Sequence, residues 1–370
     1  MTAKERMTAP GPKKLLALDG GGIRGILTIE VLASIEKMLR RELDQPRVVL
    51  SEYFDYIGGT STGAIIAALL ALGKSVDQIR EFYVRSGKEM FDPASVLDRF
   101  RFKFAGQALE EQLRTVFGER TLGSADLRCL LMMVLRNATT DSPWPLSSNP
   151  KAKYNNTGDD DDNLKLPLWQ LVRASTAAPT YFPPEEIQIG RNRFLFVDGG
   201  VTMYNNPAFQ LFTMATIPAY RMKWKTGEKQ LLVVSVGTGF AADANEGLSP
   251  GQMNLLYSAG SVPSALMAAA LHEQDMLCRV YGRCRHGLEL DGEVGDLISG
   301  WPKDSEKQFT YLRYNAELTK EGLARLKVDA KPKTVQKLDA VGAIDKLQAI
   351  GRAVGREVVS EHFKGFLKLQ

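Results

Sequence analysis

Residues 54–73, FDYIGGTSTGAIIAALLALG, restrict the fold of the chain more than any other segment. An apolar stretch runs into the turn residues GTSTG, and a segment that is apolar nearly all round follows. This order predicts a short buried strand, a tight turn and a helix that is buried on both sides. The apolar run is about ten residues long and a membrane span needs about 20, so we expect a buried helix.

The pattern G-x-S-x-G places Ser61 between Gly59 and Gly63. Small flanking residues let a strand enter a helix sharply, with the serine exposed at the tip of the turn. The N–H groups and dipole at the helix start favour negative charge beside that serine. The pattern therefore predicts a nucleophile. The alternative is a helix N-cap, a role for which Thr60 and Thr62 are equally suited.

A second unit of the same kind lies earlier in the chain. KKLLALD predicts a buried strand, GGGIRG a tight loop, and ILTIEVLASIEKMLRREL an amphipathic helix. Two consecutive strand-turn-helix units predict an α/β fold with a central, mostly parallel sheet sandwiched by helices. Further buried strands are expected near residues 127–135, in RFLFVDGG and over Leu231–Val236.

The length of 370 residues allows one large domain or two ordinary ones. We expect residues 13–242 to form the core that carries the site. The pattern changes after residue 250, and we expect 250–370 to be a mainly helical part packed on that core in a single globular unit. Its apolar stripe between Val335 and Ile350, with nearby lysines, is expected either to pack on the core or to dock on a membrane.

Composition and charge exclude several classes of function. The net charge is only +4 and no long Lys/Arg block exists, which argues against nucleic acid as the main partner. Three cysteines without a C-x-x-C pair argue against a disulfide framework or a zinc ribbon. The N-terminus lacks the apolar region of a secretory signal, so we expect a cytoplasmic protein with peripheral access to the inner membrane.

A serine nucleophile needs a base, and two hypotheses follow. The histidines His272, His286 and His362 all lie late in the chain, and none follows an apolar strand at a glycine turn. One of them would complete a conventional Ser-His-Asp esterase. Asp198 does end the apolar strand of RFLFVDGG, although Asp-Gly is also a common turn. Burial there would raise its pKa from about 3.9 and make it a better base.

The segment DGGGIRG, residues 19–25, allows three interpretations. A P-loop would require G-K-[ST], which is absent. A dinucleotide loop would need Glu42 or Asp44 as its acidic partner, at the end of a helix instead of a strand, and would make the chain a non-catalytic nucleotide-binding module. An oxyanion hole would use the N–H groups of consecutive glycines, with Arg24 adding positive charge.

Three motifs in this order, DGGGIRG (19–25), GTSTG (59–63) and DGG (198–200), make the chain similar to patatin-like phospholipases. ASTAAPTYFPP (174–184) and NNP (205–207) also resemble segments of that family, over roughly residues 13–240. The resemblance implies a serine lipid acyl hydrolase with Ser61 as nucleophile and Asp198 as base. It implies an oxyanion hole formed or supported by Gly21, Gly22 and Arg24, membrane phospholipids as substrates, and no metal or cofactor. The remaining motif glycines are Gly20, Gly25, Gly59, Gly63, Gly199 and Gly200.

A narrower resemblance covers residues 275–297 and 309–318, which are similar to the C-terminal part of bacterial intracellular members. Some of those resemble antiphage-defence phospholipases that a cyclic oligonucleotide activates. This implies a cyclic nucleotide activator that Arg279, Arg283 and Arg285 would meet, whereas the alternative is a solvated basic helix face. A homo-oligomer is a further expectation. Residues 142–165 are expected to be an irregular polar loop, with a lid over the site as a hypothesis.

Overall fold

The computed structural model describes residues 1–91, 102–179, 181–240, 255–290, 295 and 306–369. The described residues contain one sheet of nine strands. The strands are β1 (Lys13–Leu18), β2 (Tyr56–Thr60), β3 (Leu130–Asn137), β4 (Ser142–Ser147), β5 (Glu185–Ile189), β6 (Asn192–Asp198), β7 (Leu231–Val236), β8 (Gly282–His286) and β9 (Phe309–Tyr314). The helices are α1 (Ala3–Thr8), α2 (Gly25–Glu42), α3 (Leu50–Tyr53), α4 (Thr62–Ala71), α5 (Val76–Phe91), α6 (Phe102–Phe117), α7 (Leu168–Ser175), α8 (Ala208–Thr216), α9 (Leu255–Tyr281), α10 (Lys320–Arg325), α11 (Pro332–Val335) and α12 (Ile344–Gly355).

The sheet is mostly parallel, as predicted. Its order is β5-β6-β3-β2-β1-β7-β9-β8, and the pairings from β3 through to β8 are parallel. Strands β4, β5 and β6 pair antiparallel at one side. Every residue of β1 is buried, and alternate side chains face two separate cores: Leu16 and Leu18 enter one, and Leu15 and Ala17 the other. Burial on both faces explains why this strand is continuously apolar.

Helix α4 is buried at every residue from Thr62 to Ala71. It packs against β2 and β3, which explains why no polar face is present. In the part of the chain that the structure describes, no helix is both long enough and apolar enough to span a membrane.

The region after residue 250 contains helices α9 to α12, as expected, and also two strands that the expectation did not include. Strands β8 and β9 lie in it, and β9 pairs parallel with β7. The C-terminal part therefore completes the central sheet as well as covering it. Both strands are short, and β9 carries a charged residue, Arg313, inside an apolar stretch, so neither has a clear alternating pattern. The division between 242 and 250 lies outside the described residues and stays a prediction.

The apolar stripe between Val335 and Ile350 packs on the core. Helix α11 ends at Val335 and α12 begins at Ile344, so the stripe does not follow one helix. Leu347 and Ile350 are fully buried, and a Cβ at Gly351 would meet the carbonyl oxygen of Leu27 in α2. Side chains in such contacts are not available to lipid, so the structure does not support the docking alternative for this stripe.

Residues 142–165 are more regular than expected, and the prediction of an irregular loop was wrong at its start. Strand β4 pairs antiparallel with β3, from Ser142 opposite Asn137 to Ser147 opposite Met132. Sequence analysis missed this strand because its prolines argue against strand structure. Proline occurs in sheets mainly on outer strands, and β4 is one of these. Beyond the strand, the side-chain amide of Asn155 donates to the carbonyl oxygen of Ser147 at 2.7 Å and ties the loop to the sheet.

Candidate active site

Strand β3 sets the relative position of the two predicted catalytic residues. Strand β2 ends with Thr60 opposite Val134, and β6 ends with Asp198 opposite Leu135. Strand β4 pairs along β3 over both of these stretches. Because a strand has only two edges, β2 and β6 must share the other edge, end to end. Ser61 and Asp198 therefore emerge at one junction, although 137 residues separate them in the sequence.

The turn at Ser61 is sharp and has an uncommon backbone conformation. Ser61 has φ 54° and ψ −124°, which a non-glycine residue rarely adopts unless the surroundings impose it. A Cβ at Gly59 would meet the carbonyl oxygen of Gly63, so the flanking glycine is needed for close approach. The Ser61 N–H donates to Ser175 Oγ at 3.0 Å, and that hydroxyl donates to the Val134 carbonyl oxygen at 2.7 Å. These contacts hold the turn against β3.

The Ser61 hydroxyl donates to Asp198 Oδ2 at 2.6 Å. Ser61 occupies the N-cap position of α4, but its side chain makes no capping hydrogen bond, so the N-cap alternative does not describe this hydroxyl. Asp198 Oδ1 accepts the N–H of Gly200, also at 2.6 Å. Ser61 is 9% exposed and Asp198 3% exposed. The pair is thus shielded from water and aligned for proton transfer from oxygen to oxygen.

Burial raises the pKa of Asp198 to about 6, and the hydrogen bonds from Ser61 and Gly200 oppose this shift. Desolvation disfavours the charged carboxylate, while the two donors stabilise it. The result is a carboxylate that is still ionised at neutral pH and is a stronger base than a free aspartate. The expectation of a raised pKa from the strand-end position therefore agrees with the structure.

The glycine loop of DGGGIRG passes directly beside the serine. A Cβ at Gly20 would lie 3.2 Å from Ser61 Cβ, and the Gly20 N–H donates to the carbonyl oxygen of Asn205 at 3.1 Å. Gly22 has φ 58°, and a Cβ there would meet the carbonyl oxygen of Leu338. Within the described part of the chain, no acceptor bonds the N–H of Gly21 or Gly22. Both N–H groups are therefore unused hydrogen-bond donors among the described residues.

The structure places Arg24 against the loop that it follows. Its Nε donates to the carbonyl oxygen of Gly21 at 3.5 Å, and the side chain is partly buried. Burial lowers the pKa of Arg24 to about 10, and the nearby charge of Asp19 opposes that shift. Arg24 remains charged at neutral pH and contacts the carbonyl side of the loop, which is consistent with a supporting role.

The other motif glycines lie where backbone segments approach closely. A Cβ at Gly25 would meet Thr62, one at Gly63 would meet the carbonyl oxygen of Leu18, and one at Gly199 that of Val134. A Cβ at Gly200 would lie 3.0 Å from Asp198 Oδ1. The three motifs therefore form one packed cluster, which the separate spacings in the sequence could not show.

None of the three histidines is a hydrogen-bond partner of Ser61 within the described residues. The rings of His286 and His362 stack at 4.5 Å, and His362 Nδ1 shares a hydrogen bond of 2.8 Å with the Tyr314 hydroxyl. His272 contacts the ring of Phe240 at 5.6 Å. The arrangement offers no Ser-His pair at the turn, so it favours the dyad over the conventional triad.

The three arginines of the predicted anion site each have partners inside the chain. Arg279 is 2% exposed and pairs with Asp275 at 3.0 Å. Arg283 pairs with Glu228 at 3.2 Å, and Arg285 donates to main-chain carbonyl oxygens near the C-terminus. Arg283 and Arg285 lie on strand β8, so a basic helix face was the wrong description for them. Their binding of an anion stays a prediction.

Sequence reasoning missed one charged residue of this region. Arg313 of β9 donates from both terminal nitrogens to Asp19, the first residue of DGGGIRG, at 2.9 Å and 2.6 Å. The only available signal was a charged residue within the apolar stretch FTYLRY. A charge retained at a buried strand position usually has a specific partner.

Comparison with known proteins agrees with this site. The family model "Patatin-like phospholipase" matches residues 16–212, more than half of the sequence, and the chain belongs to the patatin-like phospholipase family. The resemblance inferred from the three motifs, and the fold class that it implies, are thereby confirmed.

Relatives of several kinds are similar to the chain. An "Intracellular phospholipase A2" of Caenorhabditis elegans is 31% identical over 61% of this chain and 19% of its own length. A "cGAMP-activated phospholipase" of Escherichia coli (strain TW11681) is 29% identical over 61% of this chain and 62% of its own. "Patatin-like protein 1" of Oryza sativa subsp. indica is 30% identical over 76% of this chain and 77% of its own. The chain thus spans less than two thirds of the first two relatives.

Proposed function

We propose that this protein hydrolyses fatty-acyl esters of membrane phospholipids through a Ser61–Asp198 dyad. The observation that carries the proposal is the 2.6 Å hydrogen bond from Ser61 Oγ to Asp198 Oδ2, made from a turn with positive φ. Membership of the patatin-like phospholipase family supports the choice of a lipid ester. The likeness to two proteins named as phospholipases supports phospholipids as the class of substrate.

The reaction proceeds in two steps. Asp198 takes the hydroxyl proton while Ser61 Oγ bonds to the acyl carbonyl carbon, and the proton then passes to the leaving alcohol oxygen as the ester C–O bond breaks. Water next attacks the acyl-enzyme, with Asp198 as base, and the fatty acid leaves while Ser61 recovers its proton. Both steps develop negative charge on the former carbonyl oxygen.

The donors for that charge are the N–H groups of Gly21 and Gly22, which have no acceptor within the described residues. Preorganised donors of this type stabilise the tetrahedral intermediate without reorganising during the reaction. The positive end of the dipole of α4, whose first residue is Thr62, adds to this stabilisation.

Release of fatty acid from defined phospholipid vesicles tests the proposal. We expect Ser61→Ala to lose turnover and labelling by a fluorophosphonate probe while its circular dichroism spectrum is unchanged. Ser51→Ala is the matched control, since Ser51 is a buried serine of α3. Substitution of His272, His286 and His362 should leave activity in place. Hydrolysis by Ser61→Ala at the wild-type rate would exclude the dyad, and loss of activity in the histidine variants would favour the triad.

Labelling of Ser61 also separates the hydrolase from a nucleotide-binding module, because an unactivated serine does not react with the probe. We propose a cytoplasmic protein that reaches its substrate at the inner membrane surface. Co-sedimentation of the full chain with vesicles measures that access, and the absence of any bound fraction under conditions that support hydrolysis of a soluble ester would contradict it.

We further propose that a cyclic oligonucleotide activates the enzyme in defence against phage. The support is the likeness to the Escherichia coli protein named as cGAMP-activated, over 230 residues. Vesicle hydrolysis measured with and without cyclic dinucleotides tests the idea, with linear dinucleotides as the control. Equal rates in all three conditions would contradict activation and would leave the hydrolase proposal intact.

A further inference from the structure

The first residue of the glycine-loop motif is held from the far end of the chain. Arg313 Nη1 donates to Asp19 Oδ1 at 2.9 Å and Nη2 to Oδ2 at 2.6 Å, across a separation of 294 residues. Asp19 is 1% exposed and Arg313 is 4% exposed. A bidentate pair of this kind fixes the orientation of the carboxylate as well as its distance.

The pair belongs to a network that surrounds the start of the loop. Arg313 lies opposite Ser235 in the β7–β9 register, and its Nη1 also donates to Ser235 Oγ at 2.7 Å. Ser235 Oγ in turn donates to the side-chain oxygen of Asn206 at 3.2 Å. Arg313 therefore links the start of DGGGIRG (19–25) with the segment NNP (205–207).

The glycines after Asp19 have no side chains, so only their main-chain groups can form hydrogen bonds to the rest of the protein. Gly20 is held through its main chain: its N–H donates to Asn205, and its carbonyl oxygen accepts from Thr238 Oγ1 at 2.8 Å. Asp19, which directly precedes the three glycines, is held through its side chain by Arg313. The position of Asp19 therefore helps to set the path by which the chain reaches Gly21 and Gly22.

A buried ion pair is a costly way to stabilise a fold, because two charges lose their hydration. Burial alone would lower the pKa of Arg313, but the charge of Asp19, the hydrogen bonds to it and the nearby Tyr311 and Asp275 together outweigh burial, so the pKa is raised and the guanidinium stays charged. A pair of apolar residues would fill the same space at lower cost. A charged pair differs from an apolar pair in that its hydrogen bonds fix the orientation of Asp19 at the start of the glycine loop.

We propose that Arg313 is a positioning residue for the proposed hydrolysis: through its bidentate contact with Asp19, it holds the Gly21 and Gly22 N–H donors in place beside Ser61. The inference rests on the proposed function and extends it. Arg313 lies outside residues 16–212, which match the family model, so a residue of the C-terminal part would control the rate of the reaction.

Arg313→Lys tests the proposal, because lysine retains the charge but cannot make the bidentate contact. Rates are measured on a soluble ester and divided by the number of active sites titrated with a fluorophosphonate. We expect kcat per titrated site to fall about tenfold to a hundredfold, the range for misplaced transition-state donors, with KM within about twofold. The acid limb of the pH profile should not move, since Asp198 is untouched.

The matched control is Arg80→Lys. Arg80 makes a similar two-nitrogen contact with Glu30, at 2.9 Å and 3.3 Å, between α5 and α2. Arg80 is not part of the glycine loop. The kcat of the Arg80→Lys variant should therefore stay at the wild-type value even if its stability falls. A purely structural role for Arg313 would lower the number of titratable sites and leave kcat per site unchanged.

If Arg313→Lys does not fold, the double variant Asp19→Asn with Arg313→Gln keeps the proposal testable, because it leaves no unpaired buried charge. We expect it to fold and to have the same low kcat per site. A wild-type kcat per site in either folded variant would overturn the inference. Failure of the wild-type protein to hydrolyse esters or to label at Ser61 would instead overturn the proposed function.

Discussion

The two halves of the candidate site are held by different means. Ser61 and Asp198 are placed by the register of β3, which pairs with both β2 and β6. The glycine loop is placed by individual contacts from Asn205, Thr238, Arg313 and Leu338, and the last two lie in the C-terminal part. Sheet register is cooperative and involves many bonds, whereas the loop is held by only a few contacts. We therefore expect the dyad to be geometrically robust and the loop to be sensitive to distant substitutions.

The largest effect should come from the dyad. Asp198→Ala removes the base and leaves the Ser61 proton without an acceptor, so we expect kcat to fall about ten-thousandfold, as for loss of a triad member. Because register sets the geometry, the variant should still adopt the native fold. Fatty-acid release and circular dichroism measure the two quantities. Near-full activity of this variant would refute the assignment of the base.

A loop substitution should have the next largest effect. Gly22→Ala places a Cβ against the Leu338 carbonyl oxygen at a residue with φ 58°. We expect about a hundredfold loss of kcat, the usual cost of a misplaced oxyanion donor. Gly118→Ala is the matched control, since Gly118 has φ 56° with only Arg120 in ordinary contact at 3.7 Å. Equal losses in both variants would mean that backbone strain, and not the loop position, is responsible.

The buried carboxylate should reduce stability at high pH. Its folded pKa of about 6 lies above the ordinary value of 3.8, so the folded state binds the proton more tightly than the unfolded state. That contribution is complete below pH 3.8 and is lost as the pH rises through 6. Asp198→Asn removes the charge, and at pH 8 it should raise the free energy of unfolding by about 2–3 kcal/mol. Denaturant unfolding at pH 8 without such a gain would contradict the raised pKa.

The smallest effect is the pH dependence of the wild-type enzyme. Since Asp198 must be ionised to accept the proton, kcat/KM should fall about tenfold for each pH unit below the pKa of about 6. A profile on a soluble ester, with the folded fraction checked at each pH, measures this limb. A midpoint near 4 would indicate that the carboxylate is not desolvated in the working enzyme.

Much of the fold could be predicted from local patterns. Apolar runs before glycine turns correctly indicated β1 and β2, and the all-round apolar segment indicated the buried helix α4. Strands β4, β5, β8 and β9 were missed, because prolines interrupt the pattern of β4, two glutamates begin β5, a glycine begins β8 and a buried charge lies in β9. The sheet tolerates such interruptions because neighbouring strands supply packing and burial. A short stretch of sequence does not show those neighbours.

The sequence by itself determined the chemistry: the residue types Ser61 and Asp198, the glycines that a close approach requires, and the order of motifs that identifies the family. Only the tertiary structure decided which groups meet. The 2.6 Å hydrogen bond between Ser61 and Asp198 depends on two strands sharing one edge of β3. The hydrogen bonds from Arg313 to Asp19 depend on β9 joining the same sheet. Local sequence encodes turns and strands, but pairing between segments more than a hundred residues apart is settled by burial and register across the whole sheet.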